Sequence, residues 1–392
     1  MEQITIRKTL LIMLTALLLF TACNTNGNQY YNTNDDVALN FIYSVSERRY
    51  LLTVADEVLI YRDLSDPASS AKPLCGKPNC THDNENCAAY SLKEVRYPFF
   101  YNDKLYYFHE AAFYSSNKDG TNQRRIFSID EGFYLENVKL FNEIMVFNIY
   151  SEELDGFNHG RNYRVCAYDF LNSKFNLVLE TGVKYNSGIS HIGIINGCLY
   201  SFYTGRDYPL EVNVNEDIWE LRLDKNSIFY KDYYYEYRKI PLIQNNPLDY
   251  EYEVVNITAS ELIILDDYIF AYSEDEYPAE LYRINVITNE SDLIFTGGII
   301  YLQIYDGKIQ LRTGEYNEET KRVEFKNPKR YYLSGDKFIE IENAGYFNFY
   351  YESEEYLFGV FGGLDDYVKG YIKKTDYYNG FTEFVEMEGE LW

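Results

Sequence analysis

Helical patterning is the first thing this chain of 392 residues lacks. No long stretch repeats its apolar residues every three to four positions, the spacing an amphipathic helix needs. Nor is there an apolar run of the roughly 20 residues that cross a bilayer as a helix. Proline is scarce at nine residues, and cysteine numbers six. Positive charge is in the minority: 36 Lys and Arg face 61 Asp and Glu, for a formal net charge of −25. Phosphate binding needs a basic footprint, so the balance argues against a nucleic-acid partner. It leaves calcium, cationic peptides and neutral sugars open, and strong negative charge by itself keeps a protein soluble. Catalytic signatures are also missing. No HExxH, GxSxG, P-loop or GxGxxG stands in a suitable context. His109, His159 and His191 are isolated in the sequence and read as surface or packing residues.

What is abundant is aromatic. Phe, Trp and Tyr make up 18% of the chain, and 43 residues are Tyr. Tyr favours strands and half-buried surfaces, so the composition predicts an all-β protein. A landmark then recurs: an apolar residue, a tight polar turn and an alternating aromatic strand. It reads "ADEVLIY" at 55–61, "YNDKLYYF" at 101–108, "FNEIMVF" at 141–147, "INGCLYSF" at 195–202, "LDDYIFAY" at 265–272 and "YDGKIQL" at 305–311, with a weaker copy, "ESEEYLFGVF", at 352–361. Asn-Gly and Asp-Gly permit the positive φ of hairpin turns. A second hairpin follows each of these, as in "AYDFLNSKFNLVL" (167–179), "LYRINVITNESDLIF" (281–295), "YYLSGDKFIEI" (331–341) and "YIKKTDYYNGFTEF" (371–384), with a longer version, "LRLDKNSIFYKDYYYEYRKI", at 221–240. Two hairpins per unit make four strands, and units of roughly 40–50 residues stack radially as a β-propeller. About seven blades of this kind fit residues 37–392, with six and eight the neighbouring counts because the end units are degenerate. A β-sandwich would leave the paired landmarks unexplained.

The connections inside the blades are expected to be long, polar loops: "SEELDGFNHGR" (151–161), "TGRDYPLEVNVNED" (204–217), "SEDEYPAE" (273–280) and "RTGEYNEETKRVEFKNPKR" (312–330). Elaborated loops on a rigid scaffold are where binding residues concentrate. The candidates for a binding face are Glu152, Glu153, Asp155, His159, Arg206, Asp207, Glu274, Asp275 and Glu276. Carboxylates of these loops could also be paired for glycoside chemistry, although so many acids produce such pairs by chance.

The N-terminus carries Arg7 and Lys8, an apolar run from Leu10 to Phe20, and then "LFTAC". The run is the length of a secretory h-region. The ending resembles a bacterial lipobox, with Phe20 departing from the usual Leu. The resemblance implies a signal peptide at 1–22, cleavage before Cys23 and diacylglycerol on the Cys23 sulfur. Two or more acyl chains anchor a protein stably to a lipid membrane where one does not. Residues 23–36 then form a polar tether to the folded body at 37–392.

Between the first two predicted blades lies "CGKPNCTHDNENC", 75–87, with half of the cysteines and one of the four histidines of the whole chain. Cys75, Cys80, His82 and Cys87 suit a tetrahedral Zn²⁺ as a Cys₃His set. Cys80 and His82, two apart, point to one side of an extended segment. A disulfide among the three cysteines is the second reading, which export allows and which leaves one thiol over. A redox or cofactor role is the third, without a CxxC or CxxCH to support it. Cys166 and Cys198 sit in predicted strands and read as small buried hydrophobes. The wider motif "PLCGKPNCTHDNENCAAY", 73–90, resembles one found in exported propeller lipoproteins of Gram-positive anaerobic bacteria, related to TolB-like repeats. That resemblance implies the propeller and the anchor and carries over no catalytic residue. The expected protein is therefore a lipid-anchored, extracytoplasmic propeller that binds a protein, peptide or glycan, the alternative being an envelope polysaccharide hydrolase or lyase that uses loop carboxylates.

Overall fold

The computed structural model describes residues 36–38, 43–46, 49–155, 158–206, 234–242, 252–255, 259, 261–273, 277–342, 344, 347–362, 367–380 and 383–387. The leader, Cys23 and the tether up to residue 35 lie outside the described residues, as do Asp207, Glu274, Asp275 and Glu276. Among the described residues, helix is confined to two short pieces, α1 (Ala88–Ser91) and α2 (Lys374–Tyr378). No helix there is long and apolar enough to cross a membrane.

The strands form seven four-stranded antiparallel blades, the architecture of a seven-bladed β-propeller, as the repeat predicts. Five blades are separate sheets: blade 1 at 43–73, blade 2 at 96–128, blade 5 at 261–297, blade 6 at 299–341 and blade 7 at 347–386. The strands of blades 3 and 4 share one sheet, because a single strand of 22 residues, Lys174–Ile195, serves both. Up to Tyr185 it pairs with the strand Asn158–Asp169, and beyond Tyr185 it pairs with Cys198–Arg206.

The predicted turns close these hairpins. Asp56 and Glu57, Asn102 and Asp103, Asn196 and Gly197, and Asp306 and Gly307 all have both φ values positive, between 47° and 72°. That is the two-residue turn whose twist matches the twist of paired strands. Each joins strands in tight register, as in Tyr305↔Lys308 and Ile195↔Cys198.

Two of the expected loops are strand instead. The segment 151–161 continues the strands Ile144–Asp155 and Asn158–Asp169, in register as far as Asp155↔Asn158. The segment 312–330 belongs to the strands Lys308–Asn317 and Arg322–Ser334. A polar segment forms strand as readily as loop once a partner strand is in register with it. Backbone pairing and cross-strand ion pairs hold both segments, such as Arg161 Nη2 to Glu152 Oε1 at 3.4 Å and Lys326 Nζ to Glu315 Oε2 at 3.4 Å. The expected turn in 371–384 is also different. It contains α2, whose first residue donates its N–H to the Glu355 carbonyl at 2.9 Å, and Gly380 (φ 78°) follows its end.

The chain divides into two compact units. One holds blades 3 and 4, with a core of Val146, Val165, Val178, Ile194, Leu199 and Ile240 among its buried residues. The other holds blades 1, 2, 5, 6 and 7 and so brings the first and last blades into one unit. Leu51 and Leu64 of blade 1 pack in one cluster with Tyr351, Phe358 and Met387 of blade 7. Among the described residues each of these blades is contiguous in sequence, and side-chain packing forms the joint. Leu52 and Leu59 of blade 1 likewise pack with Phe100, Leu105 and Tyr107 of blade 2. Phe358→Ala would open a cavity in the joint between blades 7 and 1. We expect it to lower the stability of the fold by about 3–5 kcal/mol, read as a reduced urea midpoint at unchanged slope.

Candidate metal centre

The connection from blade 1 to blade 2 starts where the short strand Lys72–Pro73 ends and finishes at α1. Its two ends are tied down and its middle is polar. Leu74 donates its N–H to the Leu59 carbonyl at 2.9 Å, which fixes the entry beside blade 1. Leu74, Ala89 and Leu92 are buried in the cluster that joins the two blades. Between them, residues 76–86 contribute no fully buried apolar side chain. The loop is shaped by short-range polar contacts: Asn86 N–H to Asn84 Oδ1 at 3.0 Å, Cys87 N–H to the Asn84 carbonyl at 2.9 Å, Thr81 Oγ1 to Asp83 Oδ1 at 2.6 Å, and the Lys77 ammonium to the Asn86 carbonyl. Asn79 and His82 both take φ 57°, a left-handed conformation uncommon for residues other than glycine but one that Asn and His adopt more readily than most.

This path turns the loop back on itself and brings the four predicted side chains together. One ligand atom from each of Cys75, Cys80, His82 and Cys87 lies within 4.8 Å of every other. His82 Nδ1 stands 3.2 Å from Cys87 Sγ. Cys87 is buried, immediately before α1, while Cys75, Cys80 and His82 are half-buried, with Cys75 and Cys80 packed against the inter-blade core. All three thiols are free. Burial pushes the Cys87 thiol up. At Cys75 burial acts in the same direction but is outweighed by hydrogen bonds from the Lys77 N–H and the two neighbouring thiols, which hold it below its usual value.

The donor set fits a tetrahedral divalent ion. Zn–S bonds of about 2.3 Å place sulfurs roughly 3.8 Å apart around a tetrahedral centre. Mutual distances of up to 4.8 Å therefore need only a small contraction. Three thiolates and an imidazole make a soft, closed set without an open position for a substrate, which is the pattern of a structural site.

The remaining candidates do not assemble in the same way. Glu152 is engaged across the hairpin with Arg161, which also lies 3.6 Å from Glu136 and stacks over the Tyr150 ring. The backbones of Glu153, Asp155 and His159 pair within the same hairpin, opposite Gly160, Asn158 and Leu154. Arg206 ends its strand opposite Tyr185. Cys166 is a fully buried free thiol, as expected, and burial pushes it up to about 12; Cys198 is fully buried too but is disulfide-bonded, which the reading as a small apolar packing residue did not anticipate. A group that the sequence does not single out is a buried arginine pair, Arg312 and Arg330, on neighbouring strands of blade 6. Its only sequence signal is the alternation inside a stretch that reads as loop.

No family model matches this chain, and no curated protein matches it. Solved structures do. Dipeptidyl peptidase 4 of Porphyromonas gingivalis is similar over 88% of this chain and 52% of its own, at 10% identity and a TM-score of 0.50. The acylaminoacyl peptidase of Pyrococcus horikoshii is similar over 93% of this chain and 53% of its own, at 11% identity and a TM-score of 0.48. Oligogalacturonate lyase from Vibrio parahaemolyticus covers 86% of this chain and 88% of its own, at 8% identity and a TM-score of 0.43. The chain thus spans about half the length of the two peptidases. At such identities the likeness is one of fold.

Of the two expected roles, surface or packing, His191 takes the second: it is buried, with Nδ1 3.0 Å from Ser201 Oγ and Nε2 without a hydrogen-bond partner among the described residues. Burial, with Lys139 nearby, pushes it down to about 3. Between about pH 6.5 and 3 the unfolded chain therefore binds a proton at this position that the folded chain refuses, so stability falls as pH falls through that window. His191→Gln removes this contribution. Denaturation of the variant is expected to depend less steeply on pH over the window than that of the wild type, and equal slopes would show that the ring titrates normally.

Proposed function

We propose that this protein is a membrane-anchored extracytoplasmic lipoprotein whose propeller is a binding module for a protein, peptide or glycan, and that Cys75, Cys80, His82 and Cys87 hold a structural Zn²⁺. The observation that carries the metal is the convergence of four soft ligand atoms within 4.8 Å. The anchor rests on "LFTAC" and the leader before it. The binding role rests on a rigid bladed scaffold combined with the absence of catalytic signatures in the sequence. Weighing against hydrolysis or lysis by loop carboxylates is the engagement of Glu152 in an ion pair with Arg161.

The zinc has a mechanical task in this reading. Cys75 follows the last strand of blade 1, and Cys87 leads into α1 and blade 2. Bonds from one ion to both ends, and to Cys80 and His82 between them, close a loop that has little apolar surface with which to hold itself. The metal supplies a tetrahedral cross-link, and the residues supply its charge balance as thiolates.

Protein purified without chelator is expected to carry one zinc per chain by native mass spectrometry, with Cys75, Cys80 and Cys87 all reduced by thiol counting. His82→Ala should weaken zinc retention, and chelation should lower the melting temperature of the wild type more than that of the variant. Two oxidised cysteines in the cluster and no metal would refute the zinc site. Glycan and peptide arrays probed with the chain from Cys23 onward test the binding module. Saturable capture without turnover is expected, whereas turnover abolished by one loop carboxylate change would make the protein an enzyme.

A further inference from the structure

The first three strands of blade 3, Tyr134–Phe141, Ile144–Asp155 and Asn158–Asp169, carry a row of tyrosines. Tyr134 stands opposite Tyr150, and Tyr150 opposite Tyr163. Ring centroids are 5.6 Å apart in the first pair and 5.5 Å in the second. The row runs from open to buried, with Tyr134 55% exposed and Tyr163 1%. Residues two positions along a strand share a face, so Glu136, Glu152 and Arg161 lie on the same face as the rings. Arg161 fills the middle of it. Its guanidinium lies 4.3 Å over the Tyr150 ring, Nη2 is 3.4 Å from Glu152 Oε1, and Nη1 donates to Tyr163 Oη at 3.0 Å.

Arg161 shows how this face holds a guanidinium, with a tyrosine ring beneath it and a carboxylate at its edge. One strand further out the same two parts recur as Tyr134 and Glu136. Among the described residues the Tyr134 ring meets only the Tyr150 ring, and it is the open end of the row. The one cation of a described residue within ion-pair reach of Glu136 is Arg161, at 3.6 Å, and Glu136 Oε2 has no hydrogen-bond partner among those residues. Arg161 is already paired with Glu152. Two carboxylates therefore share one guanidinium, and one negative charge is left over. Lys139, beyond the bulge that follows Glu136, makes no ion pair with it. Lys184 stands opposite Arg161 on its far side, three strand spacings from the strand of Glu136. That is roughly 14 Å, more than the screening length of about 8 Å in physiological salt.

We propose that Tyr134 and Glu136 form a docking point for an arginine side chain of a peptide partner. Its guanidinium lies on the Tyr134 ring and pairs with Glu136, as Arg161 lies on Tyr150 and pairs with Glu152. Each of the two carboxylates then has its own cation. A guanidinium suits the place because it is planar, weakly hydrated and stacks on aromatic faces. A neutral sugar would use the ring but leave the surplus charge uncompensated, and a calcium ion would leave the ring unused. The net charge of −25 on the whole chain draws a basic segment towards it. This inference rests on reading the propeller as a binding module and names the chemistry of its partner. The two fail separately: capture of a neutral glycan on the arrays without binding of an arginine peptide keeps the module and rejects this site, whereas turnover on the arrays rejects the module and leaves this site to its own measurement.

Fluorescence anisotropy at physiological salt tests the site with three labelled probes: a peptide of alternating glycine and arginine, the same peptide with citrulline for arginine, and a neutral cello-oligosaccharide. Saturable binding of the arginine peptide is expected, and the citrulline peptide, which keeps the shape and loses the charge, should bind far more weakly. Tyr134→Leu leaves the net charge of the protein unchanged and should weaken arginine-peptide binding about two- to five-fold, the share of a cation on an exposed ring. Tyr134→Trp keeps a ring and should bind at least as well as the wild type. Glu136→Gln should weaken binding more than Glu131→Gln, which removes the same charge from an exposed residue five positions away. Equal binding of the citrulline peptide, full binding by Tyr134→Leu, or equal losses from Glu136→Gln and Glu131→Gln overturns the proposal, as does tighter binding of the oligosaccharide than of the arginine peptide.

Discussion

A four-stranded antiparallel blade has two faces and cannot bury either one by itself. Everything in this protein depends on that constraint. The alternation along each strand sends apolar side chains to both faces, and the neighbouring blade of the same unit covers them. Leu52 and Leu59 of blade 1 meet Phe100 and Leu105 of blade 2, and Phe270 and Leu281 of blade 5 meet Ile309 and Leu311 of blade 6. The same logic joins the first blade to the last through Leu51, Leu64, Tyr351 and Phe358. Tyr is well suited to these joints because its ring is buried while its hydroxyl finds a backbone or side-chain acceptor, as when Tyr305 donates to the Phe349 carbonyl at 2.7 Å.

Where that packing runs out, other chemistry takes over. The connection at 75–87 has almost no apolar surface, yet it joins two blades whose other contacts are hydrophobic. Four soft ligands in this position would replace a missing miniature core with coordinate bonds, and their convergence follows from the anchoring of Leu74 on one side and α1 on the other. The extended hairpins of blades 3 and 6 meet the same shortage differently. Backbone pairing and ion pairs such as Arg161–Glu152 hold them together, so an acid that could have been a ligand is spent on holding the hairpin.

Blade 6 goes against this pattern by burying charge. Beside an apolar cluster that includes Tyr305, Ile341, Phe347, Phe349 and Leu357, its junction with blade 7 carries a polar network: Lys374 is buried against Glu352 at 2.8 Å and Asp306 at 3.2 Å, and Tyr377 donates to Gln310 Oε1 at 3.1 Å. In that network the lysine has carboxylates and Arg330 has phenols and a carbonyl.

The sequence by itself determined the class of fold, a count of about seven blades and which cysteines and histidine share one segment. Those properties are local. A two-residue turn with positive φ is written in adjacent residues such as Asn196-Gly197, a four-strand unit in a period of tens of residues, and a Cys₃His set in thirteen consecutive positions. Tertiary structure alone decided the rest. Whether 151–161 and 312–330 were loop or strand depended on the register of the partner strand, because a polar segment can be either. Whether Glu152 was available or ion-paired depended on the residue across the ladder, and Arg161 is nine positions away. His191 was buried by blade packing that no isolated histidine announces. The buried arginines became visible only when pairing set Arg312 between Tyr301 and Arg330 and packing brought Asn348 of the next blade to the same point. Contacts among strands this far apart in sequence are set by the energy of the assembled sheet, and no spacing along the chain encodes them.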